Sequence, residues 1–155
     1  MNTLFRYNWQ VREDWFSWCE QVPIEELLKK RIGGIGGILH TLFHIVDVEW
    51  SWIRLLDGKK DFEEPFERYQ SLENVRQLSA KFHPEVSSFL QNWTEEQQHQ
   101  ILELPRKDGG TNRFTHGEIL RHVIAHEIHH IGQLSVWSRE LSLQPVTANL
   151  AGRGL

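Results

Sequence analysis

HVIAHEIHHIGQLS, residues 122–135, carries four of the chain's nine histidines. His122, His126 and His130 are spaced by four, so on a helix each turns by about 40° from the last and the imidazoles rise along one side. Immediately upstream, Thr115-His116-Gly117-Glu118 has the S/T-x-x-E spacing of a capping box, which opens this helix and lets it run to about Leu141. A second row lies earlier in RIGGIGGILHTLFHIVDVEWSWIRLLDG, residues 31–58, where His40 and His44 repeat the spacing and Asp47 follows one turn on. Two helices that both present histidines toward a bundle interior can close a metal site there. Burying several imidazoles without partners is costly, and one cation satisfies them together.

The letters HEIHH at 126–130 also spell H-E-x-x-H, the zinc motif of metalloproteases. That reading fails downstream. No histidine follows His130, Gly132 stands one position early for the longer protease motif, and Glu140 is the last carboxylate side chain.

The rest of the chain reads as helices. Leu4, Tyr7, Val11, Trp15 and Trp18 recur at spacings of three and four, the stripe of a first helix that ends near Gln21-Val22-Pro23. The second helix has a broad apolar face of Leu39, Leu42, Phe43, Val46, Trp50, Ile53 and Leu56, a stop at Asp57-Gly58, and a glycine-rich beginning that suits close packing. After a loop through KKDFEEPFERYQ, residues 59–70, Ser71 caps a third helix with Pro84 as a kink. TEEQQHQILELPRKDGGTNRF is a loop with a short extended pair around its glycines, and the tail from Leu143 is irregular. The expected architecture is all-α, a four-helix bundle formed by residues 1–155 as one domain.

Composition narrows the functional classes. A formal net charge of -4 with interspersed signs argues against nucleic acid as a partner. The longest apolar and glycine run, residues 32–39, is too short to cross a bilayer, and the opening residues lack the layout of a signal peptide, so the expectation is a cytoplasmic protein with no membrane partner. The single cysteine, Cys19, excludes a disulfide framework and reads as a small core hydrophobe. GGIGG, residues 33–37, lacks the Lys-Ser/Thr of a phosphate loop.

With both histidine rows in view, the sequence resembles the DinB-like superfamily, metal-binding four-helix bundles that include bacillithiol S-transferases and mycothiol-dependent maleylpyruvate isomerases. The resemblance covers almost the whole chain, most specifically LFHIVDVEWSWIRLLDG at 42–58 and HVIAHEIHHIGQLS at 122–135. It implies a metal held by His44 from the second helix and by His126 and His130 from the fourth. His40 and His122 extend each row beyond the family pattern, which leaves His122 with His126 as an alternative pair one turn earlier. By the same resemblance His129 takes a supporting or packing position beside His130.

Three neutral imidazoles leave coordination positions open, as in catalytic zinc sites, and imidazole suits nickel and iron as well. A thiol or a water held by such a cation loses its proton more readily. Asp47 and Glu127 are candidates to accept the second N–H of a ligating histidine, with a solvated or capping role as the alternative. The resemblance implies a metal-dependent enzyme that activates a low-molecular-weight thiol for S-transfer to a small-molecule substrate. Metal-dependent hydrolysis of a small substrate is the second reading. The third is a non-enzymatic metal-binding stress or interaction protein, and a homodimer is expected in any case, with some of the seven tryptophans (Trp9, Trp15, Trp18, Trp50, Trp52, Trp93, Trp137) at its surface.

Overall fold

The computed structural model describes residues 1–60 and 64–155. Residues 61–63, part of the loop expected at 59–70, lie outside the described residues. Four long helices form the body: α1 (Asn2–Cys19), α3 (Ile38–Leu56), α4 (Leu72–Gln91) and α5 (His116–Glu140), with a short α2 (Ile24–Leu28) after α1. Single 3-10 turns occur at Phe66–Arg68 and Glu96–His99. α3 packs against both α4 and α5, and α1 closes the bundle against the same two helices.

Each long helix forms for a reason visible in its own residues. The apolar face expected for α3 is buried throughout, and α3 stops at Asp57-Gly58, where Gly58 has φ +68° and the Lys59 amide returns to the Arg54 carbonyl at 2.8 Å. The Ser71 hydroxyl caps α4 by accepting from the Asn74 amide at 3.2 Å, and the helix continues through Pro84. The box at the start of α5 is complete. The Glu118 amide donates to the Thr115 hydroxyl at 3.1 Å, and the Thr115 amide donates to the Glu118 carboxylate at 2.7 Å.

Three features depart from the sequence reading. The α1 stripe begins at Phe5, fully buried, whereas Leu4 is exposed. The glycine run is a loop and not the beginning of the second helix: Gly34 and Gly36 have φ of +52° and +91°, outside the right-handed helical region, so α3 starts only at Ile38. The helix α2 has too few residues to show a period; Pro23 precedes it, Glu25 and Glu26 lie in its first turn, and Leu27 plugs into the core. The extended pair expected around Gly109-Gly110 is a hairpin, β1 (Ile101–Pro105) antiparallel to β2 (Thr111–Thr115), with Glu103 opposite Arg113.

The tryptophans are structural. Trp15, Trp18, Trp50 and Trp137 are buried, and Trp9, Trp52 and Trp93 are half-buried against the core. Cys19 is buried, and burial pushes its thiol up to about 12, as expected of an inert core residue. The tail has no regular structure but is anchored to α1. The Tyr7 hydroxyl donates to the Ala148 carbonyl and the Trp18 indole to the Gln144 carbonyl, both at 2.8 Å. Among the described residues, no helix is long and apolar enough to cross a membrane.

Inside the bundle, Arg12 of α1 is clamped between two carboxylates. It donates to Glu49 of α3 at 2.9 Å and to both oxygens of Glu127 of α5 at 2.9 and 2.6 Å, with all three residues buried. Trp9 adds its indole N–H to the other Glu49 oxygen at 2.9 Å. Burial works against the guanidinium charge, but Glu127 and Glu49 outweigh it and hold Arg12 protonated. Removing the cation strands two carboxylates in the core. Arg12→Ala should therefore cost about 3–5 kcal/mol, read as a shift of the urea midpoint at unchanged slope.

Candidate metal centre

α3 supplies His44, and α5 supplies His126 and His130 one turn apart. Their Nε2 atoms converge: His126 Nε2 lies 3.0 Å from that of His44 and 3.1 Å from that of His130. All three ligand atoms lie within 4.8 Å of one another, close enough to hold one metal ion. Nitrogens at about 2.0–2.1 Å on tetrahedral corners stand roughly 3.3 Å apart, close to the two separations from His126. His130 is buried and the other two are half-buried.

The protonation states suit a cation as well. Burial first, then the neighbouring imidazoles, lowers His44 to about 4 and His126 to about 3, and burial lowers His130 as well. The three rings are therefore neutral at neutral pH, each with one lone pair to give. The His130 lone pair has a fixed direction. Its Nδ1 meets Gln133 Oε1 at 2.8 Å, and a carbonyl oxygen only accepts, so Nδ1 carries the hydrogen and Nε2 faces the cluster unprotonated. The Gln133 amide nitrogen donates in turn to His129 Nε2 at 2.9 Å.

The remaining candidates from the sequence stand around this centre. His40 lies flat on Phe66, with ring centroids 4.1 Å apart and planes 3° from parallel, away from the convergent set. His122 is exposed, 5.8 Å in ring centroids from His126, and faces Trp52 at 6.0 Å. Glu127 turns toward α1, with both oxygens on Arg12. Asp47 is close enough to Tyr69 to help burial and Glu64 raise the Tyr69 phenol above its usual value. His129 accepts from Gln133 and lies edge-on to the His130 ring, with centroids 5.2 Å apart.

Two residues of the site had no role in the sequence reading. Gln133 lay within the diagnostic string, and its signal was the i, i+3 distance from His130, which places an amide within reach of a ligand's outer nitrogen. Arg12 interrupts the apolar stripe of α1, and a charge at a core position marks a buried partner on another helix. Beside the histidines, a cleft of about 340 Å³ is lined by Trp52, Phe114, Glu118, Ile119 and His122. His122 borders both the cleft and His126.

Residues 1–152 match the DinB family. The uncharacterised protein YizA of Bacillus subtilis (strain 168) is 52% identical over 155 residues, covering 100% of this chain and 96% of that protein. Protein DinB of the same organism is 24% identical over 147 residues, covering 88% of this chain and 83% of that protein. Two crystal structures share the fold. A DinB-like protein from Bacillus cereus ATCC 10987 superposes with TM-score 0.61 at 22% identity, covering 88% of this chain and 90% of the other. The DinB-like protein YjoA from Bacillus subtilis gives 0.62 at 17% identity, covering 95% and 96%.

The lowered histidines have a consequence for the metal-free protein. In the unfolded chain these imidazoles titrate near their ordinary 6.5, whereas the folded protein takes up the same protons only toward about 4 at His44 and about 3 at His126. Below pH 6.5 the unfolded chain binds protons that the folded one refuses, so stability falls as the pH drops from there toward 4. Thermal melts across that window should show a declining midpoint, and His126→Gln should decline less steeply. An equal decline in the variant would contradict the assignment.

Proposed function

The chain belongs to the DinB family, and on that footing we propose that it is a metal-dependent enzyme that joins a low-molecular-weight thiol to an electrophilic small molecule. His44, His126 and His130 would hold one divalent cation, zinc, nickel or iron, through Nε2. The observation that carries this reading is the meeting of the Nε2 atoms of three neutral imidazoles, the His130 lone pair being aimed by Gln133. Without a cation, three nitrogens at these distances share too few hydrogens to satisfy one another.

A bound cation supplies the electrostatic stabilisation that lets a thiol in an open position ionise near neutral pH. The thiol gives its proton to solvent and its sulfur lone pair to an electrophilic carbon. That carbon releases its leaving group with the bonding pair, so no oxidant or reductant enters. The chain's own residues hold and orient the reactants. Trp52, Phe114 and Ile119 offer an apolar seat for the electrophile, and His122 lies between that seat and His126. Helix-borne imidazoles would keep the centre in place.

Untagged protein purified without added metal should contain, or take up from zinc or nickel solution, close to one equivalent. His44→Ala and His130→Ala should lose it, and His122→Ala should keep it. With chlorodinitrobenzene as electrophile, loaded wild type should release chloride and form the thioether only when a low-molecular-weight thiol is present. Turnover without thiol would assign hydrolysis instead. A wild type that binds zinc, nickel and iron no better than His44→Ala would overturn the metal centre itself.

A further inference from the structure

The glycine loop, residues 31–37, lies against the amide that aims His130. A Cβ built on Gly34 would stand 2.2 Å from Gln133 Oε1, 2.7 Å from its Cδ and 3.0 Å from its Nε2. Real Cβ atoms do not approach other heavy atoms so closely, so only glycine leaves room for the amide where it now sits. The loop itself is held firmly. The Arg31 amide donates to the Gly36 carbonyl at 2.7 Å, and the Arg31 guanidinium reaches Glu26 at 2.8 Å and Glu140 of α5 at 3.2 Å. The Trp137 indole donates to the Ile32 carbonyl at 3.2 Å, which fastens the loop to α5 one turn beyond Gln133.

From these contacts we propose that the loop is a positioning element of the metal centre, with Gly34 acting through Gln133 on His130. This rests on the metal-centre reading above. A glutamine side chain is long and flexible, and an unsupported amide would leave Nδ1 for solvent. The loop backbone forms a wall at the amide's face and removes that freedom. His130 Nδ1 then keeps its hydrogen, and Nε2 keeps its lone pair toward His44 and His126. A side chain at position 34 pushes the far end of Gln133 aside and leaves the fold intact, because what it strikes is the end of a flexible chain.

A double-mutant cycle on zinc affinity tests this with full-length protein. Gly34→Ala should raise the zinc Kd at least about tenfold, the scale on which groups supporting a ligating histidine act. Gln133→Leu should do the same. Gly34→Ala should add nothing in a Gln133→Ala background, where no amide remains to displace. Gln133→Glu keeps an acceptor for Nδ1 and should keep the affinity. Alanine at φ +52° strains the backbone equally in both backgrounds, so thermal midpoints report that strain separately. If Gly34→Ala weakens zinc equally with and without Gln133, or leaves the wild-type Kd unchanged, the positioning role fails. Nitrogen NMR of metal-free protein reads the relay without any metal. His130 should be the Nδ1–H tautomer in wild type and lose that preference in Gly34→Ala; an unchanged tautomer would refute the relay even if zinc never binds.

Discussion

The buried Arg12 guanidinium sets how α3 and α5 stand against each other. It arrives from α1 and takes Glu49 with one nitrogen and Glu127 with two, tying three helices at one point. Glu49 stands five residues beyond His44, and Glu127 follows His126 directly. Sliding either helix by a turn would strand a carboxylate in the core, a cost of several kcal/mol that apolar packing alone would not impose. Leucines can repack, but a three-way charge cluster has one geometry. The distances among the three imidazoles are thus set partly on the far side of the helices that carry them.

Only the later members of each histidine row meet: His44 of one, His126 and His130 of the other. Residues spaced by four precess about 40° per step around a helix, so two rows on crossing helices face each other over a turn or so and then diverge. His40 falls on the diverging side and finds an aromatic partner in Phe66, while His122 reaches the surface beside Trp52. Five histidines in two rows therefore yield a centre of three. A larger convergent set would need the helices to run parallel for longer.

This geometry also explains what could be read in advance. Spacing within one element was legible: the stripes of α1 and α3, the Ser71 cap, the Thr115 and Glu118 box, and the histidine rows all concern residues within a turn or so of each other. Relations between elements were not. Nothing in the period of α1 says that Arg12 will find Glu127, 115 positions away, and nothing in GGIGG says that one of its glycines will lie against Gln133. The glycine run could be read as the opening of a helix because close packing was the right idea in the wrong element: the close approach belongs to a loop. The short α2 escaped because five residues are less than two helical turns.

Phe114, the penultimate residue of β2, forms part of the cleft wall, and Thr115 then caps α5. The protein thus mounts its convergent imidazoles on long, deeply packed helices and borders the neighbouring cleft with a two-stranded ribbon, an architecture with little stability of its own. Insertions, deletions or new side chains in that ribbon can reshape the cleft without disturbing His44, His126 or His130. The convergent imidazoles and the cleft wall thus rest on separate elements, one deeply packed and one at the surface.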